Sequence, residues 1–473
     1  MIVVDLLVEN TLRSNRFIAI ENKSKKKNLM GVFQPKELFV EPLASLSASN
    51  VSKRNGETTV SGVKWDLGAN DMVVVQLGSR NLRIGMARDA FPRLIPCTIA
   101  TNLTSSDKMQ EEKVSIMVEP SKAVVGFNKN ARAEVILGHN DIDALDWLTP
   151  NPILSGLALA QVDPKYERLY PLHNGRFTEN TRLCQDYLYT IIQCSVSCAG
   201  KRLVLVVEEE MNEAELAVLC DLALNQLGVT AVCFLKEAVA ACFGTGASSA
   251  LVIDIGATRT RISIVEDGTT TKSVSSSRIF MLQACMREAM EREGWPAQAI
   301  EALAVERILT LDESERNSAH GHAVEVTYRR QGQDAQRYDL RAGNSRFLIP
   351  ERILFEASLN GDESNDDLIS MISLLLADMG EEQVQKLVQN IILVGGYSLI
   401  PHLPQMLLDR LLETGLTGSV IGGMDPRQVA WKGGAVYSRL ESINDGGWLT
   451  REEWNAKGVR ALHEKCIFPF TPQ

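Results

Sequence analysis

VVQLGSRNLRIG (74–85) and VIDIGATRTRIS (252–263) carry one pattern twice. Each runs two apolar residues, a polar residue, an apolar residue, Gly, a small residue, three variable positions, then Arg-Ile and a small residue. Gly78 falls on Gly256, Arg83 on Arg261 and Ile84 on Ile262, about 178 residues apart. The apolar starts suit strands, and the Gly-small pairs suit tight turns. Two such hairpins, each opening its own run of strands and helices, predict a duplicated α/β fold with a cleft between the halves.

A strand that ends in a Gly-small turn presents backbone N–H groups able to cradle phosphate oxygens. Two facing turns would grip a polyphosphate from both sides. The candidates in the first turn are Ser79 and Arg80, and in the second Asp254, Ile255, Gly256 and Ala257. Asp254 also places a carboxylate where the water shell of Mg²⁺ would sit, since Mg²⁺ needs few protein oxygens. The matching residue of the first hairpin is the uncharged Gln76. IILVGGYSLIP (391–401) reads as a strand, a Gly395-Gly396 turn and a helix start at Pro401, where a nucleoside can lie against bare backbone. GTGASS (244–249) precedes a strand instead of following one, so it reads as a connecting loop.

The surrounding chain fits alternating strands and helices. LVLVV (203–207) suits a strand buried on both faces, and NEAELAVLCDLALNQLG after it a helix capped by Asn212 and Glu215 and stopped by Gly228. TAVCFL, EAVAACF and ALVIDIG continue as strand, helix and strand, which implies parallel pairing. FMLQACMREAMEREG and DDLISMISLLLADMG read as helices, AVEVTYRR and RYDLRAG as a hairpin, and Thr450 with Glu453 as a capping box.

Composition sets the outer limits. With 45% apolar and 23% charged residues the 473-residue chain reads as a soluble globular protein of one large core or several domains. No apolar run reaches the length of a membrane span, so no membrane association is expected, and MIVVDLLV lacks the basic start of a signal peptide. Nine scattered cysteines, with only Cys194 and Cys198 close together, read as buried free thiols. His320 and His322 read as loop residues. The net charge of −10 argues against nucleic-acid binding by the whole surface. Residues 1–71 read as a partly basic extension, with Lys25, Lys26 and Lys27 in a row as candidate DNA contacts, and residues 72–473 as the folded unit.

Two phosphate hairpins and a Gly-Gly turn in this order resemble the actin, sugar-kinase and heat-shock chaperone ATPase superfamily. WLTREEWNAKGVRALHEKCIF (448–468), GNSRFLIPERILFE (343–356) and YPLHNGRF (170–177) are similar to actin segments in the same order. The resemblance to actin covers about residues 72–468. MDPRQVAWKGGAV (424–436), the REEW and GVRAL ending, EDG (266–268) and FGTGASSALVIDIG (243–256) are most similar to the chromatin-remodelling class of actin-related proteins. That class implies a two-lobed actin-like fold with duplicated βββαβα halves around a nucleotide cleft. It also implies bound ATP, and a nuclear subunit of the INO-eighty chromatin remodeller. There the subunit would sit with actin and actin-related protein 4 on the helicase-SANT-associated helix of the motor and contact DNA or nucleosomes. Members of the class carry a long insertion where this chain has only SLNGDESNDD (358–367), so no role of that insertion carries over.

The resemblance also implies where hydrolysis would fail. Active actin-like folds present an Asp from both hairpins, and here Gln76 replaces the first. At an effective dielectric near 20 the missing charge would cost the cation–phosphate site several kcal/mol, on the order of magnitude of a close ion pair. Arg80 stands at a Gly of actin, Ala257 at the turn Asp, Arg261 at a water-orienting His and Glu237 at a water-positioning Gln. ATP held structurally, without significant hydrolysis, is the expectation, with bound Mg²⁺ left open. Two alternatives stay open at this point: another actin-related class of cytoskeletal or dynactin filaments, and an ATP-dependent phosphotransferase of the same superfamily.

Overall fold

In a computed structural model, residues 71–97, 170–178, 181–294, 309–316, 343–356, 366–440 and 446–466 are described in full, the side chains of 96, 181–183, 187, 190, 194 and 283 excepted, and ten further short strands by their backbone. Strands β1 (Met72–Gln76), β2 (Asn81–Met86) and β3 (Arg93–Pro96) form an antiparallel meander. After helix α1 (Thr181–Ser195) comes β4 (Arg202–Val207), parallel to β1; after α2 (Glu213–Asp221) comes β5 (Ala231–Lys236), parallel to β4. Helix α3 (Glu237–Thr245) leads into a second meander of β6 (Ala250–Ile255), β7 (Thr260–Glu266) and β8 (Thr269–Ser276). Helices α4 (Ile279–Arg292), α5 (Ser345–Phe355), α6 (Leu368–Leu376) and α7 (Glu381–Val388) follow, then β9 (Ile391–Val394), parallel to β6. The chain continues through α8 (Leu403–Glu413) and α9 (Val429–Tyr437). It then returns to the edge of the first sheet as β10 (Leu449–Thr450), before α10 (Arg451–Lys457) and α11 (Val459–Lys465).

The sheet orders are β10-β5-β4-β1-β2-β3 and β8-β7-β6-β9. Each half is thus a three-stranded meander whose first strand pairs in parallel with a later strand. The registers repeat too: Gln76 lies opposite Arg83, and Asp254 opposite Arg261. The duplication read from sequence is therefore a duplication of strand pairing, residue for residue. The expected hairpin is present as Ala323–Tyr328 against Gln336–Arg341. Within the expected extension the backbone of Lys53–Arg54, Glu57–Val60 and Val63–Asp66 forms a small antiparallel sheet. A five-stranded sheet joins Tyr166–Leu169, Ile99–Asn102, Glu134–Leu137, Val124–Phe127 and Ser115–Met117. Lys25, Lys26, Lys27, Cys194, His320, His322 and most of 358–367 lie outside the residues described in full.

Side chains on alternate faces of the sheets build three cores. Val73, Val75, Leu203, Leu205 and Val207 face α1, α2 and α11. Leu251, Ile253, Ile255, Ile262 and Ile264 face α4, α6 and α8. Between the sheets, Val74, Val204 and Val206 of one and Val252, Ile392 and Val394 of the other close over α3 and α9. These two helices touch backbone to backbone: a Cβ on Gly433 would stand 1.6 Å from the Ala240 carbonyl oxygen, and one on Gly244 would stand 2.2 Å from that of Val429. Trp431, fully buried, ties α9 to the first sheet by donating from Nε1 to the Val74 carbonyl at 3.0 Å. The two halves are joined at their centre by this crossing, and the cleft opens at the strand ends beyond it.

The caps fall where the sequence puts them. Asn212 accepts from the Glu215 N–H at 2.9 Å and Glu215 accepts from the Asn212 N–H at 2.9 Å; Thr450 and Glu453 repeat the arrangement at 3.2 and 3.0 Å. One boundary differs. α8 begins at Leu403 with Pro404 in its first turn, not at Pro401, because Tyr397–Leu399 takes up a short 3₁₀ turn and His402 adopts φ +64°. The eight cysteines described are all free. Burial raises the Cys198 thiol to about 11 and those of Cys233, Cys242 and Cys466 to about 12, which leaves them protonated and inert.

Candidate nucleotide cleft

The two hairpin turns face one another. Thr258 Oγ1 lies 3.3 Å from Ser79 Oγ, across 179 residues of chain. The N–H of Gly256 is spent inside its own turn, donating to the Arg259 carbonyl at 2.9 Å, and that of Leu77 donates to Val206 at 3.1 Å. The N–H groups of Ser79, Ala257 and Thr258 find no protein acceptor among the described residues, which leaves these, and not that of Gly256, able to meet an anion. Ile255 contributes backbone alone, since its side chain is in the core of the second half. Arg80, a candidate phosphate contact, stacks its guanidinium 3.7 Å over the Tyr170 ring.

The Gly-Gly turn closes against the second hairpin. Gly395 has φ +92°, and a Cβ there would stand 2.4 Å from both Asp254 Oδ1 and the Ile255 carbonyl oxygen, so only glycine fits. A Cβ at Gly396 would meet nothing within 4 Å. The structure thus brings Ser79 to the second turn through Thr258 and packs Gly395 against Asp254 and Ile255, while Gly396 adjoins open space and Arg80 lies on Tyr170.

Gln76 leaves the first hairpin without a carboxylate of its own, but it donates from Nε2 to Glu237 Oε1 at 2.5 Å, so a carboxyl group stands beside it at the start of α3. Carboxylate oxygens of Glu208, Glu237 and Asp254 all lie within 4.8 Å of one another, and the buried Gln76 Oε1 finds no hydrogen-bond partner among the described residues. Three hard oxygens and an unspent amide oxygen fit a hard divalent cation such as Mg²⁺ bound with its waters. Burial, then repulsion from Glu208, pushes the Asp254 carboxyl up to about 7 against the pull of Arg261 and Arg259. Burial, then Asp254 and Glu208, holds Glu237 well above the usual carboxylate range despite Arg83.

Sequence reasoning missed the three glutamates at the end of β4. Arg261, 4% exposed, meets Glu208 at 2.8 Å, Glu210 at 2.7 Å and Glu209 at 3.7 Å. Arg259 pairs with Glu208 and Glu210, and Ser275 donates to Glu210 at 2.8 Å. Lys236 Nζ donates to the Glu208 and Glu209 carbonyls at 3.1 and 2.6 Å. Burial pushes the Glu210 carboxyl up, but Arg261 and Arg259 outweigh it and hold it below its usual value. The signal was present as EEE directly after a buried strand, at a parallel-sheet end where ligands and functional groups collect.

Comparison with known proteins agrees with this geometry. The actin family model matches residues 68–331 and 334–467. The probable actin-related protein 8 of Schizosaccharomyces pombe is 21% identical over 84% of this chain and 85% of its own length. The actin-like protein ARP8 of Saccharomyces cerevisiae is 24% identical over 46% of this chain, an alignment that spans 31% of the yeast protein. The solved structure of human actin-related protein Arp8 in its ATP-bound state superposes with a TM-score of 0.64 at 19% identity, covering 85% of this chain and 98% of the human one. With its paired hairpins, its Gly-Gly turn and a family match over most of its length, the chain belongs to the actin family and is similar within it to actin-related protein 8.

Proposed function

We propose that this chain is a nucleotide-holding actin-related scaffold that binds ATP structurally and does not turn it over. The observation that carries the reading is that the two groups best placed to handle an attacking water are already committed. Glu237 accepts a hydrogen bond from Gln76, and Arg261, at a water-orienting position of actin, is bound by Glu208, Glu209 and Glu210. A general base must reach its proton and be free to take it. Loss of one such group typically costs about 10²–10⁴ in rate.

Ser79, Ala257 and Thr258 would receive the phosphates, the open face of Gly396 the nucleoside, and Glu237 and Asp254 the hydrated cation. The cation would supply charge neutralisation between carboxylates and phosphates. Bound nucleotide would then stabilise the joined halves by mass action. Nucleotide extraction from the purified chain tests binding, and recovery of diphosphate instead of triphosphate would sink the non-hydrolysing reading.

The same reading places the chain in the nucleus as a subunit of the INO-eighty remodeller. Its partners there are actin, actin-related protein 4 and the helicase-SANT-associated helix of the motor. Similarity to actin-related protein 8 over 84% of the chain supports this placement. Lys25, Lys26 and Lys27 are the proposed DNA contacts, acting through phosphate neutralisation. Co-purification with a tagged helicase-SANT-associated peptide tests the assembly, and capture of filament-capping proteins in its place would overturn it.

A further inference from the structure

Two arginines of the second half hold the same two carboxylates of the first. Arg259 and Arg261 both pair with Glu208 and with Glu210. Arg261 lies in β7, opposite Asp254 in the ladder, and also reaches Glu209. Arg259 sits one residue beyond Thr258, whose hydroxyl meets Ser79 at the point where the two turns face each other. The backbone of Arg259 is fixed by the Gly256 N–H on its carbonyl, leaving the side chain as the part able to move.

We propose that Arg259 is an exchangeable latch between the halves: it holds Glu208 and Glu210 across the cleft until the terminal phosphate of a nucleoside triphosphate takes it over. The proposal rests on the nucleotide-binding reading above. The exchange is feasible because Arg261 keeps Glu208 and Glu210 at 2.8 and 2.7 Å, so no buried carboxylate is stranded when Arg259 leaves. A guanidinium suits the task, since its planar fork binds phosphate and carboxylate alike with two parallel hydrogen bonds. A diphosphate, one phosphoryl group shorter, does not reach the latch. The cleft thereby selects triphosphate over diphosphate, and triphosphate binding loosens the ion pairs that join β4 to β7.

Isothermal titration of ATP and ADP into the full chain tests this, using the parent, Arg259→Gln and Glu210→Gln. Glu210 has a side chain 43% exposed, so its variant keeps the fold even if Arg259→Gln does not. Arg259→Gln is expected to weaken ATP about tenfold while ADP changes less than about twofold. Glu210→Gln, which removes a competitor for Arg259, is expected to tighten ATP by about threefold with ADP again unchanged. Parent-like ATP-to-ADP ratios in both variants, with nucleotides bound, would overturn the latch alone. A parent chain that binds neither nucleotide would overturn the nucleotide-binding reading and the latch with it.

Discussion

Replacing Arg261 by Met removes a buried charge that serves three carboxylates while keeping most of the side-chain volume. Glu208 and Glu210 retain Arg259, but the Glu209 side chain, buried just past β4, loses the guanidinium it pairs with among the described residues. Burial already pushes the Glu209 carboxyl up, with Arg261 the larger of the charges that oppose this. Removing one partner of a buried ion pair costs about 3–5 kcal/mol. Because two of three carboxylates stay paired, the expected loss is at the lower edge, about 3 kcal/mol. Arg259→Gln strands no carboxylate, and its expected loss is about 1 kcal/mol. Equilibrium urea unfolding followed by circular dichroism reads both. Adding Glu209→Gln to Arg261→Met should restore about half of the loss, since the uncompensated charge is then gone. Equal midpoints for the parent and Arg261→Met would refute the claim that Arg261 is the centre of the cluster.

Three further outcomes follow from separate parts of the molecule. Gly433→Ala puts a methyl carbon 1.6 Å from the Ala240 carbonyl oxygen and should destabilise the chain by at least about 3 kcal/mol, whereas Gly380→Ala, with nothing within 4 Å, should leave the melting temperature unchanged. Asp254 binds its proton up to about pH 7 in the folded chain and loses it near its ordinary value when unfolded. The folded state thus holds more protons between these values, and stability without nucleotide or cation should fall as pH rises from about 4 to about 7. Asp254→Asn should flatten that slope in thermal melts, and an unchanged slope would move the effect elsewhere. DNA retardation by the full chain should weaken with salt and disappear on deleting residues 1–70; retention after the deletion would exclude Lys25, Lys26 and Lys27 as the contact.

The duplicated hairpins were legible because a ladder register is a local property. Once Gly78 is laid on Gly256, the pairings of Gln76 with Arg83 and of Asp254 with Arg261 follow from turn length alone. The helix caps at Asn212 and Thr450 were legible for the same reason. What sequence did not reveal are contacts set by how the halves meet. Gln76 and Glu237 stand 161 residues apart, so their hydrogen bond across the start of α3 could not be read from either segment alone. Glu208, Glu209 and Glu210 went unread after the strand 203–207, since their partners Arg259 and Arg261 belong to the other half. Gly244 of α3 and Gly433 of α9 carry no local signal for a crossing; each is explained by the backbone of the other helix that approaches it.

The account stands on a cleft that holds nucleotide with its water-handling groups tied up. Its most direct test is to load the purified chain with ATP labelled at the terminal phosphate, remove free nucleotide and follow the label through a single residence of the bound molecule. The account predicts that label stays with the protein and is recovered as ATP. Inorganic phosphate released in step with the bound nucleotide, before the nucleotide itself dissociates, would contradict it.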